Sequence, residues 1–284
     1  MKTYLKFLTF SVIAVMMATM YSCGSGPKMG YGLQLYSLRE AMREDPVATI
    51  EKVGAMGYNF VETAGYGNGK IYNMDPLEFK KLVEDNGMKF LGAHAGQAIP
   101  DSGSWEVLMP WWDACIEAHK KAGAEYIVQP FMGGSAYASL KGLSDYCDYF
   151  NAVGEKCNAA GLKFGYHNHD REFQELEGEV IYDYMLENTD PDKVFFQIDI
   201  YWIYEGGADP LEYFEMNEGR FTSFHLKDEK ELGESGEIDF QPVLDKAELA
   251  GVKYHVVEVE QYDYEPIVSV EKSLEYLKTL TFQK

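Results

Sequence analysis

From Tyr31 onward the chain alternates short apolar runs with longer stretches in which apolar residues recur at helical spacing. The runs are "YGLQLYSL" (31–38), "NFVETA" (59–64), "KFLGAHA" (89–95), "EYIVQPF" (125–131), "KFGYHNH" (163–169), "VFFQIDIYW" (194–202), "FTSFHLKD" (221–228) and "YHVVEVE" (254–260). The helical stretches between them stop at glycine just before the next run, as in "AMGYN", "DNGMK", "KAGAE", "AAGLK" and "LAGVK". Others start on Asp ahead of Pro, as in "DPVATIEKV" and "DPLEFKKLV", which caps a first turn. Repeated strand and helix units predict a parallel sheet. Eight of them in about 260 residues fit a single-domain α/β fold, a (β/α)8 barrel over residues 31–284. A doubly wound open sheet would use fewer strands and a glycine-rich first turn, and no GxGxxG follows the first run.

The N-terminus reads differently. Lys2 and Lys6 precede "FLTFSVIAVMMATM" (7–20), which has the length of a secretory signal core and is short for a membrane span. The following "YSCGSG" resembles a bacterial lipoprotein signal with Cys23 as the lipidated first residue. The expectation is therefore a signal peptide over 1–22, a short tether over 23–30, and an exported protein on the periplasmic side of a bacterial membrane. That membrane would be met only through the lipid on Cys23.

Against 46 acidic residues stand 25 lysines and arginines, a net charge of −21 with no basic stripe. A phosphate backbone would be repelled, so nucleic acid is excluded as a partner. Of the other cysteines, Cys147 and Cys157 sit in one expected helix about 15 Å apart along its axis, too far for a disulfide. With Cys115 they are expected to be small buried residues.

In such a barrel the active site lies at the C-terminal ends of the strands. Polar residues crowd those ends here: Glu62, His94, Gln129, His167, His169, Asp199, His225, Lys227, Glu258 and Glu260. Residues two apart on a strand share a face, so Gln197 goes with Asp199, His225 with Lys227, and Glu258 with Glu260; parity alone does not choose between the last two. Carboxylates mixed with an imidazole suit a hard or borderline divalent ion, Mn2+ ahead of Mg2+, Co2+ or Zn2+. Without such an ion the crowded acids would repel one another.

The segments "YHNHDREF", "FQIDIYW", "FHLKD" and "VVEVE", in that order, with "GLQLYSLRE" and "GYNFVETAG", resemble the xylose-isomerase-like TIM-barrel superfamily, the sugar phosphate isomerase/epimerase group. The resemblance implies one divalent metal held by Glu172, Asp199, His225 and Glu258, with Glu260 the alternative to Glu258. It also implies Glu172 and Glu258 as the acid/base pair, and a metal-stabilised enediolate formed by removing a proton beside a carbonyl. Glu62, His94, His167, His169, Trp202 and Lys227 are the expected substrate contacts. Superfamily nucleases carry a histidine where this chain has Trp202, which, with the acidic charge, argues against a nuclease. No arginine cluster or glycine-rich anion cradle is visible, so the expected substrate is an unphosphorylated sugar or glycoside. Three functions stay open: a sugar isomerase or epimerase, a 3-keto-glycoside lyase that eliminates the aglycone from the same site, and a carbohydrate-binding lipoprotein without turnover.

Overall fold

A computed structural model describes residues 29–281. The expected leader and Cys23 lie outside the described residues. Each apolar run supplies one strand: β1 (Tyr31–Gln34), β2 (Phe60–Thr63), β3 (Lys89–His94), β4 (Tyr126–Gln129), β5 (Lys163–His167), β6 (Val194–Asp199), β7 (Phe221–Leu226) and β8 (Tyr254–Val257). Every strand pairs in parallel with the next, and β1 closes on β8. The result is the expected (β/α)8 barrel.

Local chemistry sets the helices between the strands. Asp75 accepts the Leu77 N–H and Glu78 reaches back to the Asp75 N–H, a capping box ahead of Pro76–Asp85. Gly161, at φ 86°, ends the longest helix, Leu140–Ala160, and lets the chain turn into β5. Cys115, Cys147 and Cys157 are buried and free, as expected.

The main core lies between strands and helices. A second cluster, including Phe60, Leu91, Tyr126, Phe195 and Tyr254, gathers near the strand starts inside the barrel. Glycine in the strands makes room for these rings: a Cβ on Gly32 would lie 2.1 Å from the Phe60 ring, and one on Gly92 would lie 2.1 Å from Tyr126. Aromatic filling closes that end and leaves the opposite mouth to polar groups.

The strands stop sooner than the apolar runs. Leu35–Leu38 is a 3-10 turn, and Ile200–Glu205, with Trp202, is already helical. Asp199 causes the second change, because its carboxylate accepts the Trp202 N–H at 2.9 Å and caps that helix. Two hairpins went unpredicted: Tyr66–Gly67 with Lys70–Ile71, and Glu175–Leu176 with Glu179–Val180. Two-residue strands carry no readable alternation.

Candidate active site

The strand ends bring four side chains together. His167 from β5, Asp199 from β6, His225 from β7 and Glu258, just past β8, are all buried and present donor atoms within 4.8 Å of one another. Within the group, His225 Nδ1 lies 3.3 Å from Glu258 Oε2 and 3.8 Å from Asp199 Oδ2.

Glu62 orients this cluster from behind. Its Oε1 lies 2.7 Å from His225 Nε2 and 3.1 Å from His94 Nε2, and it accepts from Gln34 Nε2 at 2.7 Å. Its Oε2 accepts from Gln197 Nε2 at 2.8 Å. Glu62 faces His225 Nε2 and so leaves Nδ1 turned toward Asp199 and Glu258; with a bound ion the carboxylate would keep the proton on Nε2 and free Nδ1 as a ligand. Glu62, expected as a substrate contact, is fully buried among protein donors and does not line the cavity.

The charges are those of a site built around a cation. Burial raises the Asp199 pKa to about 7, and Glu258 nearby adds to the effect. Burial disfavours charge on His225 too, but Glu62 and Glu258 outweigh it and lift the imidazole to about 10. Burial likewise works against ionised Glu258, yet Lys227 and His225 hold its pKa low. Meanwhile Asp199 Oδ2 and His167 Nδ1 are buried with no hydrogen-bond partner. Orphaned buried polar atoms of this kind call for an explanation, and two imidazoles with two carboxylates fit a divalent ion.

Glu172, expected among the ligands, stands apart from this group, and His167 joins it instead. One Glu172 oxygen accepts from the hydroxyls of Tyr137 at 2.5 Å and Tyr166 at 2.6 Å, and the other from the His169 N–H at 2.9 Å. The cause is the 3-10 turn Asp170–Phe173, which folds Glu172 back under the loop. His167 is the last residue of β5, so its position at a strand end brings it into the group.

The remaining expected residues divide. His94, His167, His169, Glu258 and Glu260 line a cavity of about 560 Å3 at the barrel mouth. His169 is kept mainly uncharged by burial. Lys227 is buried and paired with Glu260 at 2.8 Å, while its Nζ lies 3.9 Å from Glu258. Trp202 does not line the cavity; its ring packs 5.5 Å from His169 and lies 5.5 Å from Lys227 Nζ. Gln129 braces the loop after β4 by donating to the carbonyls of Gln97 and Phe131. The roles of Gln34, Tyr137 and Tyr166 were not anticipated; only the acids they hold were conspicuous in sequence.

A closed parallel barrel with ionisable side chains converging at its C-terminal mouth defines the TIM-barrel enzymes. Residues 50–280 match the xylose isomerase-like TIM barrel family, and the chain belongs to it. Among curated proteins it is 26% identical over 252 residues to an inosose dehydratase of Salmonella agona, a match covering 75% of this chain and 82% of that one. A solved sugar phosphate isomerase/epimerase from Parabacteroides distasonis superposes with a TM-score of 0.81 at 29% identity, covering 94% of this chain and 98% of the other. A second from the same organism gives 0.80 at 34% identity, covering 87% and 96%.

Proposed function

We propose that this protein is a divalent-metal-dependent enzyme that removes a proton beside the carbonyl of an unphosphorylated sugar, the isomerase or epimerase type of reaction. The observation that carries this reading is the cluster of His167, Asp199, His225 and Glu258, with buried unpartnered atoms, at a cavity of about 560 Å3. Those four residues would hold the ion, Mn2+ first. Bound there, it would supply Lewis-acid stabilisation of negative charge developing on substrate oxygens.

The chain's own groups do the rest. Glu258 is held ionised and lines the cavity, so it is the proton acceptor. His169, also on the cavity and mainly neutral, is the second group able to move a proton. Its backbone is pinned by Glu172, which acts through this loop. Lys227 fixes Glu260 at the rim. Among the described residues no lysine or arginine lines this cavity, Arg39 and Arg43 standing only at the adjoining hollow, which supports a substrate whose reacting end carries no phosphate.

The inosose dehydratase match favours a second reading in which the same first step ends in elimination. A dehydratase expels water where an epimerase returns the proton, and a keto-glycoside lyase would expel an aglycone. The test is to incubate the protein with Mn2+ in D2O and follow keto sugars and keto-glycosides by NMR. Metal-dependent deuterium uptake without loss of a group supports the isomerase or epimerase; uptake with release of water or aglycone supports elimination. Sugar binding with no exchange across the panel would replace both with a binding protein. The reading also includes export as a lipoprotein, supported by Lys2 and Lys6, the apolar run 7–20 and "YSCGSG", and the mass of the mature N-terminal peptide from a membrane fraction tests it.

A further inference from the structure

The cavity has two chemical halves. Its polar half holds His94, His167, His169, Glu258 and Glu260, and its other half is walled by Tyr36, Tyr66, Trp111 and Phe131. Each ring comes from the segment after a different strand of β1 to β4, Trp111 from the first turn of the helix Met109–Ala122, so the wall is assembled in space and invisible as a motif. Tyr66 and Trp111 brace each other edge to face with ring centroids 5.5 Å apart. Tyr36 and Phe131 remain 42% and 41% exposed, although most aromatic rings of this chain are packed away. A second hollow of about 270 Å3, lined also by Arg39 and Arg43, shares Tyr36, Ala64, Tyr66 and Gly67 with the first.

A single keto sugar has about a dozen non-hydrogen atoms, whereas cavities of ~300–1,000 Å3 enclose molecules of roughly twice that size. The polar half suffices for the sugar. Exposed rings beside it offer what a hydroxyl-rich free sugar does not need: flat apolar faces on which another ring can stack. We infer that the wall of Tyr36, Tyr66, Trp111 and Phe131 is a subsite for a ring-shaped substituent joined to the keto sugar, so that the substrate class is a keto-glycoside. This rests on the sugar-directed reading above and narrows it. The substituent's shared chemistry is a ring with an apolar face, supplied either by an aryl group or by the C–H face of a second pyranose.

The test compares affinities of a free keto-glucose, its methyl glycoside, its phenyl glycoside and a keto-disaccharide. It uses Glu258→Gln protein, which cannot remove the proton, once with Mn2+ and once after chelation. The expected result is that the phenyl glycoside, the keto-disaccharide, or both bind about tenfold more tightly than the methyl glycoside, and that adding Trp111→Ala or Phe131→Ala removes most of this advantage. Which of the two gains identifies the aryl or sugar source. Equal affinity for methyl and ring-bearing glycosides, an advantage that survives both aromatic replacements, or no binding at all would overturn the subsite. Because the ratio is read without turnover and with or without metal, it stands or falls apart from the catalytic reading. A ring preference with no exchange in wild-type protein sinks the chemistry alone, and exchange with no ring preference sinks only the subsite.

Discussion

Glu62 shows how much of the site is arranged by residues buried behind it. With His225 Nε2 at 2.7 Å, its carboxylate fixes which imidazole nitrogen faces the cluster. Glu62→Gln keeps the volume but loses the charge, and its amide can meet His225 with a donor. Loss of such an outer partner lowers metal affinity by about 10–100-fold, so Mn2+ titration of the folded variant should show a drop in that range; unchanged affinity would contradict the orienting role. Asp199→Asn should go further, weakening Mn2+ binding and abolishing deuterium exchange. Yet that variant should not be less stable when metal-free, because it removes a buried carboxyl whose ionisation is disfavoured. Chemical denaturation in chelator checks that. Asp199, His225 and Glu258 were legible from their places at strand ends. His167 was read only as a substrate contact, because resemblance drew attention to Glu172, and the turn that folds Glu172 away leaves no trace in a period-two pattern.

Among the elements, the strands were the easiest to read, since buried parallel strands are near-continuous apolar runs bounded by glycine and caps. Their ends were harder, because the pattern runs on through "LYSL" and "IYW" after the backbone has become helical. Packing of the helices shows a constraint that the pattern does not. In Leu140–Ala160, a Cβ on Gly154 would stand 2.3 Å from the Lys193 carbonyl oxygen, ahead of β6. Alanine at a helix interior is favoured over glycine by about 1 kcal/mol, but a clash with backbone cannot be relieved by a rotamer, and overpacking costs ~1–3 kcal/mol. Gly154→Ala should therefore lower stability by up to about 2 kcal/mol, and a urea midpoint that rises would show that the neighbouring segment gives way freely.

For the molecule as a whole, acid stability follows from histidines placed away from the cluster. His119 is fully buried in Met109–Ala122, with its ring 5.0 Å from that of Tyr66, and burial lowers its pKa to about 4. The unfolded chain binds that proton near pH 6.5, so the unfolded state gains protons first as pH falls. Stability is then complete above pH 6.5 and declines toward pH 4, by roughly 3 kcal/mol for this group. His255, also lowered to about 4 by burial, adds a decline of the same sign. Urea unfolding between pH 7 and 4.5 should show the loss, and His119→Gln should flatten it; an unchanged slope would assign acid sensitivity elsewhere.

The barrel also divides its labour by halves. The cluster of His167, Asp199, His225 and Glu258 comes from the ends of β5 to β8, while the aromatic wall comes from the segments that follow β1 to β4. Descendants of such a gene can therefore trade one set of loops for another and acquire new substrates while inheriting the same chemistry intact. A laboratory lineage could be steered the same way, by diversifying only the segments around Tyr36, Tyr66, Trp111 and Phe131 while Gln34, Glu62 and His94 are kept.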